Sequence, residues 1–229
     1  HLLPGLPGGF CAPLWWRDLE EVVATAGPKL EVPFAEGPLT LPTATDSDKG
    51  RAFETIYWRL RRGPEQILHA VIGAMCGRAR IDRLGRVARA CMRWDEIRTM
   101  AADPLCAIGA HTMTHPMLAK QDEAVARMEI ARCRRVIESE IGRDVRHFSY
   151  PVGDPSSAGR REFDLARAAG YETAVTTRPG VLHRAHGAHL HALPRISLNG
   201  LFQDLGEVRT LLSGLPTALR NRFRALDVD

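Results

Sequence analysis

After Trp94 the chain changes its period: short apolar runs of strand length alternate with segments of helical spacing. That alternation marks βα units, which bury their strands in a parallel sheet covered by helices. The strand candidates are 105–110, 146–150, 173–176 and 192–196. Between the first two lies the clearest helix, 122–141, with Val125, Met128, Cys133, Val136, Ile137 and Ile141 facing inward and Gly142 as its stop. A shorter helix, 162–169, ends at Gly170 before the third strand. Four strands are too few to close an eight-stranded barrel, so an open α/β sheet with an exposed edge is expected.

Residues ahead of that switch read as a mostly helical block. Leu14, Leu19, Val22 and Val23 define an amphipathic helix over about 15–26, stopped by Gly27. In 30–34 and 39–41 apolar residues alternate around Glu36-Gly37, which predicts a hairpin whose first strand Pro33 confines to an edge. A second helix starts at the capping candidates Thr45 and Asp46, carries Phe53, Ile56, Tyr57 and Leu60 on one face, and ends at Gly63-Pro64. Pro64 then opens a third helix through Met75.

Composition narrows the function classes. The 229 residues are 45% hydrophobic and 25% charged, enough apolar material for one sizeable core. The formal charge of +4 comes from arginines interleaved with acids, not grouped beside stacking aromatics, so nucleic acid is not an expected partner. The opening segment 1–10 is apolar but broken by prolines and glycines, and no later run suits a membrane span. Five cysteines, Cys11, Cys76, Cys91, Cys106 and Cys133, are odd in number and never form a Cys-x-x-Cys pair. They argue against a disulfide framework or a thiolate zinc site, and favour a cytoplasmic location. The chain begins with His1 rather than Met, so an upstream segment is expected.

The sharpest chemical feature is Ile108-Gly109-Ala110-His111-Thr112-Met113-Thr114-His115-Pro116. Two histidines four apart, directly after a buried strand, can aim both imidazoles at one ion from the C-terminal rim of a sheet. A bare His-x-x-x-His pair is equally compatible with two unrelated polar loop residues. With its strand and trailing proline, however, the string resembles the metal-binding motif of the polysaccharide deacetylases. This carbohydrate esterase family includes chitin, peptidoglycan and nodulation-type chitooligosaccharide deacetylases. Further segments extend the resemblance, in order, over about 94–200. The run from Arg146 to Gly153 is similar to the family's third motif, a strand ending in Arg-Pro-Pro-Tyr-Gly or Tyr-Pro-Tyr-Gly, with Ser149 in the arginine's place and Val152 in the tyrosine's. Residues 170–177 are similar to the strand after a Gly-aromatic helix end, and 191–196 to a closing Leu-Pro-Arg strand.

The resemblance implies a deformed, incomplete (β/α) barrel of the polysaccharide deacetylase type, with 1–92 as a helical insertion and 93–229 as the C-terminal part of the barrel. It implies a divalent metal, zinc foremost, on His111 and His115. Tyr150 and Val152 are the implied substrate contacts, Val152 through a backbone N–H that donates to a developing oxyanion. Catalytic roles fall to His191, as acid to the leaving amine, and to Arg195, whose charge would replace that of the third-motif arginine. Other readings stay open at this stage. Arg195 also suits a surface ion pair, and His191, with His183, His186 and His189, a solvated histidine-rich loop.

The family's first motif, Thr-Phe-Asp-Asp-Gly, gives the catalytic base and the third metal ligand, and it is not in the sequence. Thr45-Asp46-Ser47-Asp48-Lys49-Gly50 resembles it only in letters, because it follows a hairpin and opens a helix, where Asp and Ser act as caps. Asp154 falls on the expected rim as a substitute ligand, although a turn before Pro155 is the commoner use of such a residue. The expected activity is metal-assisted removal of N-acetyl groups from an N-acetylated polysaccharide or oligosaccharide, weak or absent in this chain. A noncatalytic carbohydrate-binding or interaction remnant of the same fold is the alternative, and association through the exposed sheet edge is expected of either.

Overall fold

The computed structural model describes residue 3, residues 14–224 and residues 226–228. The apolar segment 1–10 apart from Leu3, and Cys11, lie outside the described residues. The rest falls into two compact units, divided between Arg93 and Trp94.

In the N-terminal unit, α1 (Trp15–Thr25) buries Trp15, Leu19, Val22 and Val23. An antiparallel hairpin follows, β1 (Lys29–Phe34) with β2 (Gly37–Pro42), in which Val32 and Phe34 turn inward at alternate positions. Helix α2 (Asp46–Arg62) opens on a capping box: Asp48 N–H donates to the Thr45 hydroxyl at 3.1 Å while the Asp48 carboxylate accepts from Thr45 N–H at 3.1 Å. Asp48 therefore starts a helix. Helix α3 (Glu65–Ala79) runs past Met75, and a further helix, α4 (Arg83–Ala90), was not legible in the apolar spacing because Val87 is its single buried residue. An ion pair ties it down, with Arg83 Nε donating to the buried Asp18 carboxylate at 2.7 Å.

The C-terminal unit holds α5 (Trp94–Ala102), α6 (Glu123–Ile141), β3 (His147–Ser149), α7 (Arg160–Ala168), β4 (Thr173–Pro179), β5 (Leu193–Arg195), α8 (Leu205–Leu212) and α9 (Leu215–Arg220). Its strands are parallel in the order β3-β4-β5, as the alternation with helices requires. The expected strand at 105–110 shrinks to one bridge, Ala110 beside Phe148. The Asp103-Pro104 turn takes the first residues of that run: Leu105 N–H donates to the Asp103 carboxylate at 2.8 Å, Cys106 N–H to the Asp103 carbonyl at 3.1 Å, and Leu105 is 96% exposed. Ala110 still extends the sheet, because its N–H donates to the His147 carbonyl at 2.8 Å and its own carbonyl accepts from Ser149 N–H at 2.9 Å. The fold is thus mixed α/β with two small sheets, and among the described residues the parallel sheet does not close into a barrel.

Helix α6 covers this sheet with Ala126, Glu129, Ile130, Cys133 and Ile137, while Val125 and Met128 are 39% and 42% exposed. The inward stripe is rotated from the expected one, and the rotation brings an acid, Glu129, into the core. Ile130 and Ile137 root the helix; burying each such side chain contributes roughly 1.5–3 kcal/mol. Among the described residues no helix is long and apolar enough to cross a membrane.

Candidate metal centre

The sheet delivers His111 to the C-terminal rim one residue after the Ala110 bridge. From there the chain turns sharply. Thr112 and His115 take left-handed conformations, with φ of 62° and 65°, which in non-glycine residues cost on the order of 1–3 kcal/mol each. Side-chain acceptors hold the turn: the buried Thr112 hydroxyl accepts from His115 N–H at 3.1 Å, and the Glu129 carboxylate of α6 accepts from Met113 N–H at 2.7 Å, Thr114 N–H at 3.0 Å and the Thr114 hydroxyl at 2.8 Å. The two imidazoles end with ring centroids 4.9 Å apart at an interplanar angle of 73°.

The first of these rings has a defined tautomer. His111 Nδ1 lies 2.7 Å from the main-chain oxygen of Ser149, and because a carbonyl can only accept, Nδ1 carries the proton and Nε2 keeps its lone pair. The Ser149 hydroxyl lies 3.1 Å from the same nitrogen. Burial, and then the neighbouring His115, push the His111 pKa down to about 4, so the imidazole is neutral at physiological pH, as a metal ligand must be. Cys133 packs beneath the turn, but burial pushes its thiol up to about 12 and it stays protonated, which makes it a core residue and not a thiolate donor.

The second motif forms a turn docked on β4. Gly153 N–H donates back to the Pro151 carbonyl at 2.7 Å, closing a γ-turn on Val152, whose φ is 63°. Thr177 fixes the turn from β4, its hydroxyl donating to the Val152 carbonyl at 2.6 Å and its N–H to the Gly153 carbonyl at 2.9 Å. Gly153 is needed twice over: its φ is 71°, and a Cβ there would meet Thr177 N at 2.8 Å.

The other sequence-derived residues are divided by the structure. Arg195 ends β5 on the same rim as His111, is exposed, and adds its charge to the influences that keep His111 neutral. Tyr150 is fully buried, its hydroxyl donates to the His191 carbonyl at 2.9 Å, and burial raises its pKa well above the usual phenol value. His191 is buried as well. It precedes β5, and its Nε2 donates to the carbonyl of Tyr171, which precedes β4, at 2.7 Å; both lie at the N-terminal ends of parallel strands, the rim opposite His111. Asp154 is used as a turn former, its carboxylate accepting from Ser156 N–H at 2.9 Å and the Ser156 hydroxyl at 2.7 Å. Sequence reasoning missed Glu129 and the Ser149 carbonyl. The one signal for Glu129 is its helical spacing four residues before the buried Cys133, which the stripe drawn through Val125 and Met128 masked; a main-chain acceptor leaves none.

Residues 69–174 match the family model described as polysaccharide deacetylase. Among solved structures, the chain is similar to a deacetylase from Streptococcus pyogenes in complex with acetate, with 19% identity and a TM-score of 0.47 over 53% of this chain and 50% of that one. It is also similar to a polysaccharide deacetylase from Bacillus cereus, with 19% identity and a TM-score of 0.47 over 53% and 37%. A third likeness is to a de-N-acetylase from Aggregatibacter actinomycetemcomitans, with 12% identity and a TM-score of 0.44 over 85% and 63%. The chain thus spans half or less of the length of the first two. No curated protein matches it.

Proposed function

We propose that this chain carries the histidine half of a metal-dependent deacetylase site that removes N-acetyl groups from an N-acetylated polysaccharide or oligosaccharide. The observation that carries the reading is the His111–His115 pair, two imidazoles 4.9 Å apart with the first held in a ligand-ready tautomer by a strand carbonyl. The family match over 69–174 supports it.

The donors fit half of a tetrahedral sphere. His111 and His115 would hold a divalent ion, zinc by the preference of imidazole pairs, but among the described residues no group of three or more His, Cys, Asp or Glu is placed around an ion. Zinc, when bound, supplies a Lewis acid and a water of lowered pKa. The chain's own residues do the rest of what is assigned here: the Ser149 carbonyl orients His111, Arg195 places a positive charge on the rim, and the Val152 N–H donates to the oxygen of the acetyl carbonyl as it gains negative charge. Net hydrolysis adds water across the amide, so that the C–N bond breaks, the amine leaves with a proton, and acetate forms. Without a carboxylate joined to the pair as base, acetate release from these 229 residues is expected at ~10²–10⁴ below that of a complete site.

The test is acetate release from chitooligosaccharides in the presence of zinc. Trace release abolished by His111→Ala supports the reading, and release untouched by that change contradicts it. Sugar binding without zinc binding would move the chain to the noncatalytic alternative.

Two finer expectations belong to the same proposal. The four described cysteines, Cys76, Cys91, Cys106 and Cys133, form no disulfide with one another, which supports a reducing, cytoplasmic setting. The edge at Ala110 is short and therefore supports only weak self-association, which light scattering across a concentration series would detect.

A further inference from the structure

We infer that Glu129 is the positioning residue of the metal centre: it holds the His111–His115 turn in ligand geometry by the reach of its carboxylate, not by its charge. The inference rests on the reading of His111 and His115 as ligands.

The turn cannot hold itself. Two of its five residues, Thr112 and His115, sit in left-handed conformations that side chains disfavour, and the residues between the ligands form no strand or helix. What opposes relaxation is a set of hydrogen bonds to side chains. Thr112 takes the His115 N–H, the Cys133 sulfur faces the His111 and Thr112 amides, and one carboxylate takes the three donors of Met113 and Thr114: Glu129 Oε2 accepts Met113 N–H and Thr114 N–H, and Oε1 accepts the Thr114 hydroxyl. Glu129 is 4% exposed and stands on α6 between Ala126 and Cys133, so its backbone cannot follow the turn if the turn shifts.

The chemistry separates reach from charge. Glutamine keeps the length and one oxygen, which can still accept both N–H groups, and the Thr114 hydroxyl can rotate to accept from the new amide. Aspartate keeps the charge but withdraws the acceptors by roughly one C–C bond, ~1.5 Å, enough to break bonds of 2.7–3.0 Å. A residue acting through charge would tolerate aspartate better than glutamine. A positioning residue reverses that order.

The experiment uses the full chain with zinc chloride as the probe, following affinity by calorimetry and amide exchange of the metal-free protein by NMR. Glu129→Asp is expected to weaken zinc binding on the order of 10–100-fold and to release the Met113 and Thr114 amides to solvent, while β4 amides stay protected. Glu129→Gln is expected to keep both properties. The proposal is overturned if Gln loses as much as Asp, or if Asp binds zinc and protects the two amides as the parent does. If the parent chain takes up no zinc, the ligand reading fails, and the exchange of Met113 and Thr114 still decides the role of Glu129.

Discussion

His111 Nδ1 donates to the main-chain oxygen of Ser149 across 2.7 Å, so the tautomer of the first candidate ligand is set by the backbone of a neighbouring strand. Ser149→Ala should therefore leave the tautomer in place, because the carbonyl remains. Nitrogen-15 NMR of the imidazoles is expected to show an unprotonated Nε2 on His111 in both proteins. A switch to protonated Nε2 in the variant would assign the role to the hydroxyl at 3.1 Å instead.

The pH dependence of stability follows from the same burial. Burial, with His115 beside it, lowers the His111 pKa to about 4, from 6.5 in the unfolded chain. Between these values the unfolded chain binds the extra proton, so the folded state gains stability as pH rises from about 4 to 6.5 and loses it as pH falls. The slope is at most ~1.4 kcal/mol per pH unit. Chemical denaturation across that window should show a steeper rise for the parent than for His111→Asn, and equal slopes would contradict the buried neutral imidazole.

Gly153→Ala should destabilise the C-terminal unit by about 1–3 kcal/mol, since the new side chain meets both an unfavourable φ and the Thr177 backbone. Urea midpoints measure it. An unchanged midpoint would mean that the turn is not pressed against β4 as described.

His191 is predicted to matter for folding and not for the metal. His191→Ala removes a buried donor to the Tyr171 carbonyl and should cost ~1–3 kcal/mol, with zinc affinity preserved in the folded variant. Lost affinity in a folded variant would put His191 on the wrong rim.

What the sequence made legible, and what it hid, divides along physical lines. Long periodic segments such as 122–141 and punctuated ones such as the hairpin were readable, because they repeat one signal many times. The closeness of the His111 and His115 rings was readable from their spacing after the apolar run that ends at the Ala110 bridge. The burial of Tyr150 and His191 was hidden for a shared reason: they sit one and two residues outside three-residue strands, where alternation is too short to say which way a side chain turns, and the two are bonded to each other in the core. Glu129 was hidden because the stripe on α6 was assigned through Val125 and Met128, which proved exposed.

The most direct test of the account is a calorimetric zinc titration of the 229-residue chain beside His111→Ala, His115→Ala and Asp154→Ala. The account predicts weak binding at a single site in the parent. Each histidine variant should lose at least ~10-fold in affinity, the loss typical even for removing an outer partner of a ligand, while Asp154→Ala should bind as the parent does because its carboxylate is already taken by Ser156. Zinc binding unchanged in both histidine variants would contradict the central claim.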